Sequence, residues 1–231
     1  MTEDKKNVLI VGGSSKISKM FISNYSDIYN IHATFNTNRP SCIPKERLYN
    51  LDLNSSKSVQ SFIDNIRNIS FRAVIFLAST IGKDKNNYDE LYNQTISDLN
   101  INVVAPLFIA KNINYGPRLG RTIFFGDSGR LHPRKNMNSY NIYKNILEEL
   151  VMSLGVDLSS KSIVLGIDLG PTLPDSSVEN KENYYAKNLI QVNNPTLGLV
   201  NLISFIIDED NLNMTSTFIK YDGGTYTKRI N

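Results

Sequence analysis

Tyr140-Asn141-Ile142-Tyr143-Lys144 sets a phenol and an ammonium group four residues apart. On a helix that spacing puts Tyr140 and Lys144 on one face, where they can act as a pair. A phenol with a pKa of about 10 is a sluggish proton donor at neutral pH, and a cation a few ångströms away favours the tyrosinate and lowers that value. The chemistry expected of the pair is proton delivery by Tyr140 to an atom that turns negative during reaction, with Lys144 supplying the positive field. Tyr143 is no substitute, because the residue four positions beyond it is Leu147. The same five residues are also what a helix packing two tyrosines would contain, so their setting decides between the readings.

A second constellation, Val11-Gly12-Gly13-Ser14-Ser15-Lys16-Ile17-Ser18, follows the apolar run from Asn7 and precedes residues at helical spacing. Glycines at a strand-to-helix turn let the backbone approach a pyrophosphate, and the helix N-terminus supplies amide donors and a partial positive charge. Gly12, Ser14, Ser15, Lys16 and Ile17 are therefore candidates to hold a dinucleotide, although such a turn is also an ordinary connection. Cofactor choice is written at the end of the next strand, where an acid would hold the ribose hydroxyls of NAD and repel a 2′-phosphate. No Asp or Glu occurs from Ile28 to Lys45, and that strand ends Phe35-Asn36-Thr37-Asn38-Arg39. Asn36 and Arg39 point to NADPH.

The elements that must position these residues alternate along the chain. Strands are expected at Asn7 to Gly12, Tyr29 to Phe35, Leu48 to Leu51, Ala73 to Ala78, Arg121 to Phe125, Ser162 to Asp168 and Thr217 to Tyr221. Between them fall helices from Ser14 or Ser15 to about Tyr25, Ser56 to Arg67, Tyr88 to Asn112, Asn138 to Leu158 and Thr196 to Ile207. Short, continuous apolar strands joined through helices read as right-handed crossovers. The fold class is α/β, one Rossmann-like domain over 1–231 with a doubly wound parallel sheet of about seven strands and helices on both faces. Gly170 to Asn194 is longer and more polar than a plain connection, and it follows the carboxyl end of a strand, so a lid over the site is expected there.

Composition supports this frame. With 231 residues, 41% hydrophobic and 20% charged, the chain can bury a sizeable core and is neither disordered nor low in complexity. A net charge of +3, scattered along the sequence, argues against a nucleic-acid partner. Cys42 is the single cysteine and His32 and His132 stand far apart, so neither a disulfide nor a zinc site is expected. Apolar runs are too short or too broken for a leader or a membrane span, which points to a soluble cytoplasmic protein.

These motifs, in this order, resemble the short-chain dehydrogenase/reductase family. Gly12 falls on the first glycine of its T-G-x-x-x-G-x-G turn, with Lys16 and Ser18 where the second and third stand. Asp127 lies thirteen residues before Tyr140, at the place of the family's catalytic serine, and Asn102 matches the asparagine that completes its tetrad. Asp52, followed by Leu53, matches an acid that resembles an adenine contact, or it caps the helix near Ser56. Phe76-Leu77-Ala78-Ser79 stands where N-N-A-G is usual. Gly170-Pro171-Thr172 resembles the turn that meets the nicotinamide, and Tyr221-Asp222-Gly223-Gly224 resembles the family's V-D-G-G.

The resemblance implies a catalytic set of Tyr140, Lys144, Asp127 and Asn102, with Lys144 also on the nicotinamide ribose. It adds Ala78, Ser79, Gly170 and Thr172 to the cofactor site, and it implies a homo-oligomer, a tetramer or a dimer. Lys16, Ala78-Ser79 and Asp127 are together most similar to the pteridine reductases, whose substrate offers N–H and amino donors to a carboxylate. The expected function is NADPH-dependent hydride transfer to a pterin-like C=N bond, with Tyr140 as proton donor and Asn102 holding a relay water. Two alternatives stay open: a carbonyl reductase for a sugar, nucleotide-sugar or acyl-carrier substrate, and a non-catalytic NADP(H)-sensing protein. Ser128 taking the serine role one residue out of register is a further local alternative. Arg130, His132 and Arg134 could bind an anionic group, though a solvated basic loop is the plainer reading.

Overall fold

The computed structural model describes residues 5–172 and 188–227. Seven parallel strands form one sheet in the order β3-β2-β1-β4-β5-β6-β7. They are β1 (Asn7–Val11), β2 (Asn30–Phe35), β3 (Leu48–Asn50), β4 (Ala73–Phe76), β5 (Gly120–Asp127), β6 (Ser162–Leu169) and β7 (Thr217–Tyr221). Strand order reverses between β1 and β4, so the crevice for a ligand opens at their carboxyl ends.

Helices cover both faces because the strands are apolar on both. Val8 and Ile10 of β1 pack with Phe21 and Ile22 of α1 (Lys16–Tyr25) and with Leu199 and Ile203 of α6 (Pro195–Asp208). Leu9 and Val11 face the other way, against Phe62 of α2 (Ser56–Ile66), Ile109 of α4 (Ala105–Asn112) and Leu147 of α5 (Asn138–Asp157). Val8 to Val11 have no exposed surface, and each such burial contributes about 1.5–3 kcal/mol. Helix starts follow local chemistry: Ser15, Ser55, Asn87 and Asn194 each accept an amide of their own first turn.

The long helix expected over Tyr88 to Asn112 is divided. α3 covers Tyr88–Leu99, a π-helical turn follows over Asn100–Val104, and α4 begins at Ala105. Pro106 is the physical reason: it has no amide to donate four residues back, and its ring would crowd the carbonyl there. The chain widens just before it, and the Ala105 amide reaches the Asn100 carbonyl five residues back. β5 also runs two residues beyond its expected end, pairing Asp127 with Leu169. That extension carries Asp127 to the tip of the sheet.

At the opposite edge, Arg72 and Arg121 are buried and close the end of α6. Arg72 donates to the Ile207 carbonyl, while Arg121 donates to those of Ile206 and Glu209. Of the expected lid, residues 173–187 lie outside the described residues. No helix among the described residues is long and apolar enough to cross a membrane.

Candidate active site

The turn after β1 is built around a glycine at which any side chain would be strained. Gly12 has φ +99°, and a Cβ there would lie 2.4 Å from the Ala78 amide nitrogen. Its own amide donates to Thr34 Oγ1 at 3.1 Å. Ser18, standing for the family's third glycine, does not loosen the turn. Its hydroxyl donates to the Gly12 carbonyl at 2.8 Å and lies 2.7 Å from Ser15 Oγ, so two serines knit strand to helix.

This turn forms one wall of a groove of about 460 Å³. Gly12, Ser14, Ser15, Asn36, Asp52, Leu53, Ala78 and Ser79 line it, as expected of a cofactor site, together with Thr34, Thr37, Leu77 and Thr80. Asp52 also serves the next helix: its carboxylate accepts the Asn54 amide at 2.9 Å, and its own amide donates to Ser58 Oγ at 3.0 Å. Two residues expected at the cofactor site line neither this groove nor the adjoining cleft. Lys16 is exposed on the first turn of α1, and Arg39 is exposed with its guanidinium 5.8 Å from the Phe35 ring centre.

Leu77, Ser79 and Thr80 continue from the groove into a second cleft, of about 590 Å³, that Ile17, Asp127, Tyr140, Lys144, Gly170 and Thr172 also line. The Tyr140 hydroxyl donates to Asp127 Oδ2 at 2.5 Å. The same oxygen accepts Arg134 Nη2 at 2.8 Å, and Oδ1 accepts the Gly129 amide at 2.7 Å. Asp127 thus caps a turn and holds two side chains at once. Ser128 is engaged elsewhere: its amide and its hydroxyl both donate to the Leu169 carbonyl.

The Lys144 ammonium does not bring the Tyr140 phenol below its ordinary value here. Its Nζ donates to the Phe125 carbonyl at 2.9 Å and lies 5.9 Å from the Tyr140 ring centre. Burial, and then the Asp127 charge, push the phenol well up from its ordinary value, against a smaller downward pull from Arg134. Burial also brings the Lys144 ammonium down to about 8. Tyr140 is therefore a firmly protonated hydroxyl.

Asn102 sits one layer behind. In the π-helical turn its Oδ1 accepts Ser79 Oγ at 2.7 Å, and its Nδ2 donates to Thr80 Oγ1 at 3.0 Å and the Asp98 carbonyl at 2.8 Å. It supports Ser79 and Thr80, which line both cavities, but does not itself line either. Leu77 lacks the hydrogen bonds of an asparagine, yet the amides of Leu77 and Ala78 both donate to the Val11 carbonyl at 2.8 Å. The backbone supplies that support.

Seven parallel strands in this order, a glycine turn at the switch point and a Tyr–Lys pair at the cleft complete the picture that solved structures can be set against. A short chain dehydrogenase family protein from Francisella tularensis superposes with a TM-score of 0.80 at 17% identity, covering 97% of this chain and 100% of that one. The chain has the fold of the short-chain dehydrogenases. A short chain dehydrogenase from Burkholderia cenocepacia in complex with NADP gives 0.78 at 18% identity, over 95% and 97% of the two chains. An oxidoreductase of the short chain dehydrogenase/reductase family from Brucella ovis, in complex with a partially ordered NAD, gives 0.74 at 17%, over 94% and 99%. No protein-family model matches the chain, and no curated protein does.

Within this short-chain dehydrogenase fold, Thr34, Thr37, Arg134 and Tyr226 are among the lining residues outside the expected catalytic and cofactor set. Thr34 and Thr37 belong to β2 and its end, where the alternation of the strand offered a signal. Arg134 and Tyr226 lie in irregular segments, where no period exists to place them. The basic loop is mostly exposed, as the plainer reading expected, but Arg130 and His132 are held by partners. Arg130 pairs with both Glu148 oxygens at 2.9 Å and with the buried Asp168, and its side chain is 10% exposed. His132 stacks on Tyr226 with ring centres 5.4 Å apart.

Proposed function

We propose that the protein is an NADPH-dependent reductase of the short-chain type, with Tyr140 as proton donor. The observation that carries this reading is the position of the Tyr140 hydroxyl, buried and held at 2.5 Å from Asp127 in a cleft continuous with the glycine-turn groove. The groove suits a dinucleotide. Gly12 allows close approach of the backbone, Ser14 and Ser15 open the helix N-terminus, and Asn36 and Thr37 supply neutral donors where an acid would favour NAD. The structural neighbour bound to NADP and the one bound to NAD both support a nicotinamide cofactor in this groove. When bound, NADPH supplies the hydride.

The chain's own residues do the rest. Tyr140 gives its proton to the substrate atom that gains charge, and Lys144 holds a positive charge beneath the site. Asn102 steadies Ser79 and Thr80, and Asp127 fixes the direction of the Tyr140 hydroxyl. A pterin-like ring with a C=N bond is the substrate that best suits a carboxylate at this place, and the Tyr226–His132 stack offers a flat aromatic surface to it. A carbonyl reductase is the second reading, favoured by the Arg134 guanidinium in the cleft. Exposed apolar side chains on α3 to α5, including Tyr92, Phe108 and Val156, support a homo-oligomer.

NADPH oxidation by purified protein, measured across dihydropterins, keto-sugars and acyl thioesters with Tyr140→Phe as the blank, tests this reading. Turnover of a dihydropterin that vanishes in the blank is the expected result. Turnover of a carbonyl compound alone selects the second reading, and NADPH binding without any turnover selects a sensing role.

A further inference from the structure

The loop between β5 and α5 carries four basic side chains, Arg130, His132, Arg134 and the exposed Lys135, and the fold treats them differently. Arg130 is spent on Glu148 and Asp168, and His132 on the Tyr226 ring. Arg134 alone of the four lines the cleft. Its main chain is tied twice to one side chain of α5: the Arg134 amide donates to Asn141 Oδ1 at 3.1 Å, and the Arg134 carbonyl accepts Asn141 Nδ2 at 2.9 Å. Asn141 directly follows Tyr140, so the helix that carries the proton donor also sets the position of the arginine.

The guanidinium is held as well. It lies over the Tyr140 ring at 5.1 Å from the ring centre and donates through Nη2 to Asp127. A guanidinium has five N–H donors in a planar fork, and its contacts with Asp127 and the Tyr226 hydroxyl leave the others for a ligand. Its side chain is 39% exposed, against 8% for Asp127. The carboxylate already accepts Tyr140, Arg134 and the Gly129 amide, so the charge open to an incoming molecule is the positive one. Around it the cleft is largely apolar, with Leu77, Ile81, Phe125 and Leu169. In such surroundings a pre-positioned guanidinium recognises an oxyanion by charge-assisted, bidentate hydrogen bonds.

We propose that Arg134 is a substrate-reading residue that takes an oxyanion of the substrate, a carboxylate or a phosphate, beside the Tyr140 hydroxyl. This rests on the reductase reading for the reaction that follows, in its second, carbonyl form and not the pterin one, and it narrows the substrate to a molecule carrying such a group close to the atom that is protonated.

The test uses benzoate, phenyl phosphate and benzamide as probes, titrated calorimetrically into the whole protein with excess NADP. Wild type should bind benzoate or phenyl phosphate at least about tenfold more tightly than benzamide, and whichever anion binds better names the source of the oxyanion. Arg134→Met should erase the preference, while Arg134→Lys keeps part of it, retaining the charge without the fork. No preference in wild type, or one that survives Arg134→Met, overturns the proposal. Should Arg134→Met not fold, the wild-type protein still answers. The Arg134 Nε–H resonance must move with the preferred anion and stay in place with benzamide, and an unmoved signal overturns the proposal. Binding is read without turnover, so the two readings fail separately. An anion preference in a protein that oxidises NADPH with no compound sinks only the reductase, and oxidation without the preference sinks only the role of Arg134.

Discussion

Tyr140 and Asp127 come from different elements, the first turn of α5 and the last residue of β5, and meet through a hydrogen bond of 2.5 Å. The bond aims the phenol and raises the free energy of its ionised form, because a carboxylate faces the oxygen that would become negative.

Replacing the acid should release that hold. In Asp127→Asn the phenol loses its nearest negative neighbour, so Tyr140 titrates closer to the ordinary value of about 10 than in wild type. Ring-labelled tyrosine NMR across alkaline pH reads this directly. Identical titration in the two proteins would show that Asp127 does not govern Tyr140.

Tyr140→Phe should lower turnover by about 100-fold or more, the usual worth of a positioned proton donor, with NADPH affinity little changed. Steady-state kinetics beside a fluorescence titration separates the two effects. Equal losses in both would make Tyr140 a binding residue instead.

Lys144 gives a prediction in pH. Its folded value of about 8 lies below the ordinary 10.5, so between these two the unfolded chain binds more protons and stability rises with pH. The cost of holding the charge inside is fully present below about 8. Lys144→Met should therefore be more stable than wild type at pH 7 by about 2 kcal/mol, a gain that shrinks towards pH 10, while activity is lost. Denaturant unfolding of both proteins at the two pH values checks the sign.

Gly12→Ala introduces a Cβ at 2.4 Å from the Ala78 nitrogen and an unfavourable φ of +99°. The expected cost is about 2 kcal/mol of stability, with NADPH binding weakened by about tenfold or more. A variant that melts early but binds NADPH as well as wild type would show that the groove is not the cofactor site.

Arg121, 1% exposed, donates to the carbonyls of Ile206, Leu119, Gly120 and Glu209. Arg121→Met leaves the buried Ile206 and Gly120 carbonyls without this donor, and stability should fall by about 3 kcal/mol. The urea midpoint should drop at unchanged slope. A shift under a quarter of that size would mean that water replaces the guanidinium.

The order of strands and helices was readable from residues 7 to 221 because parallel strands and amphipathic helices each carry a period. The same period placed Tyr140 and Lys144 on one face, and Gly12 announced its turn. The break at Asn100–Val104 was less visible, since Pro106 marks a disturbance without saying how the helix absorbs it. Three dimensions decided the rest. Arg134 and Tyr226 reach the cleft from segments with no repeat, and Lys16 and Arg39 miss it although their positions along the chain suggested otherwise. The acidity of Tyr140 reversed for the same reason: a cation four residues away in sequence counts for less than burial and an opposing carboxylate, and both of those are set by distance in space.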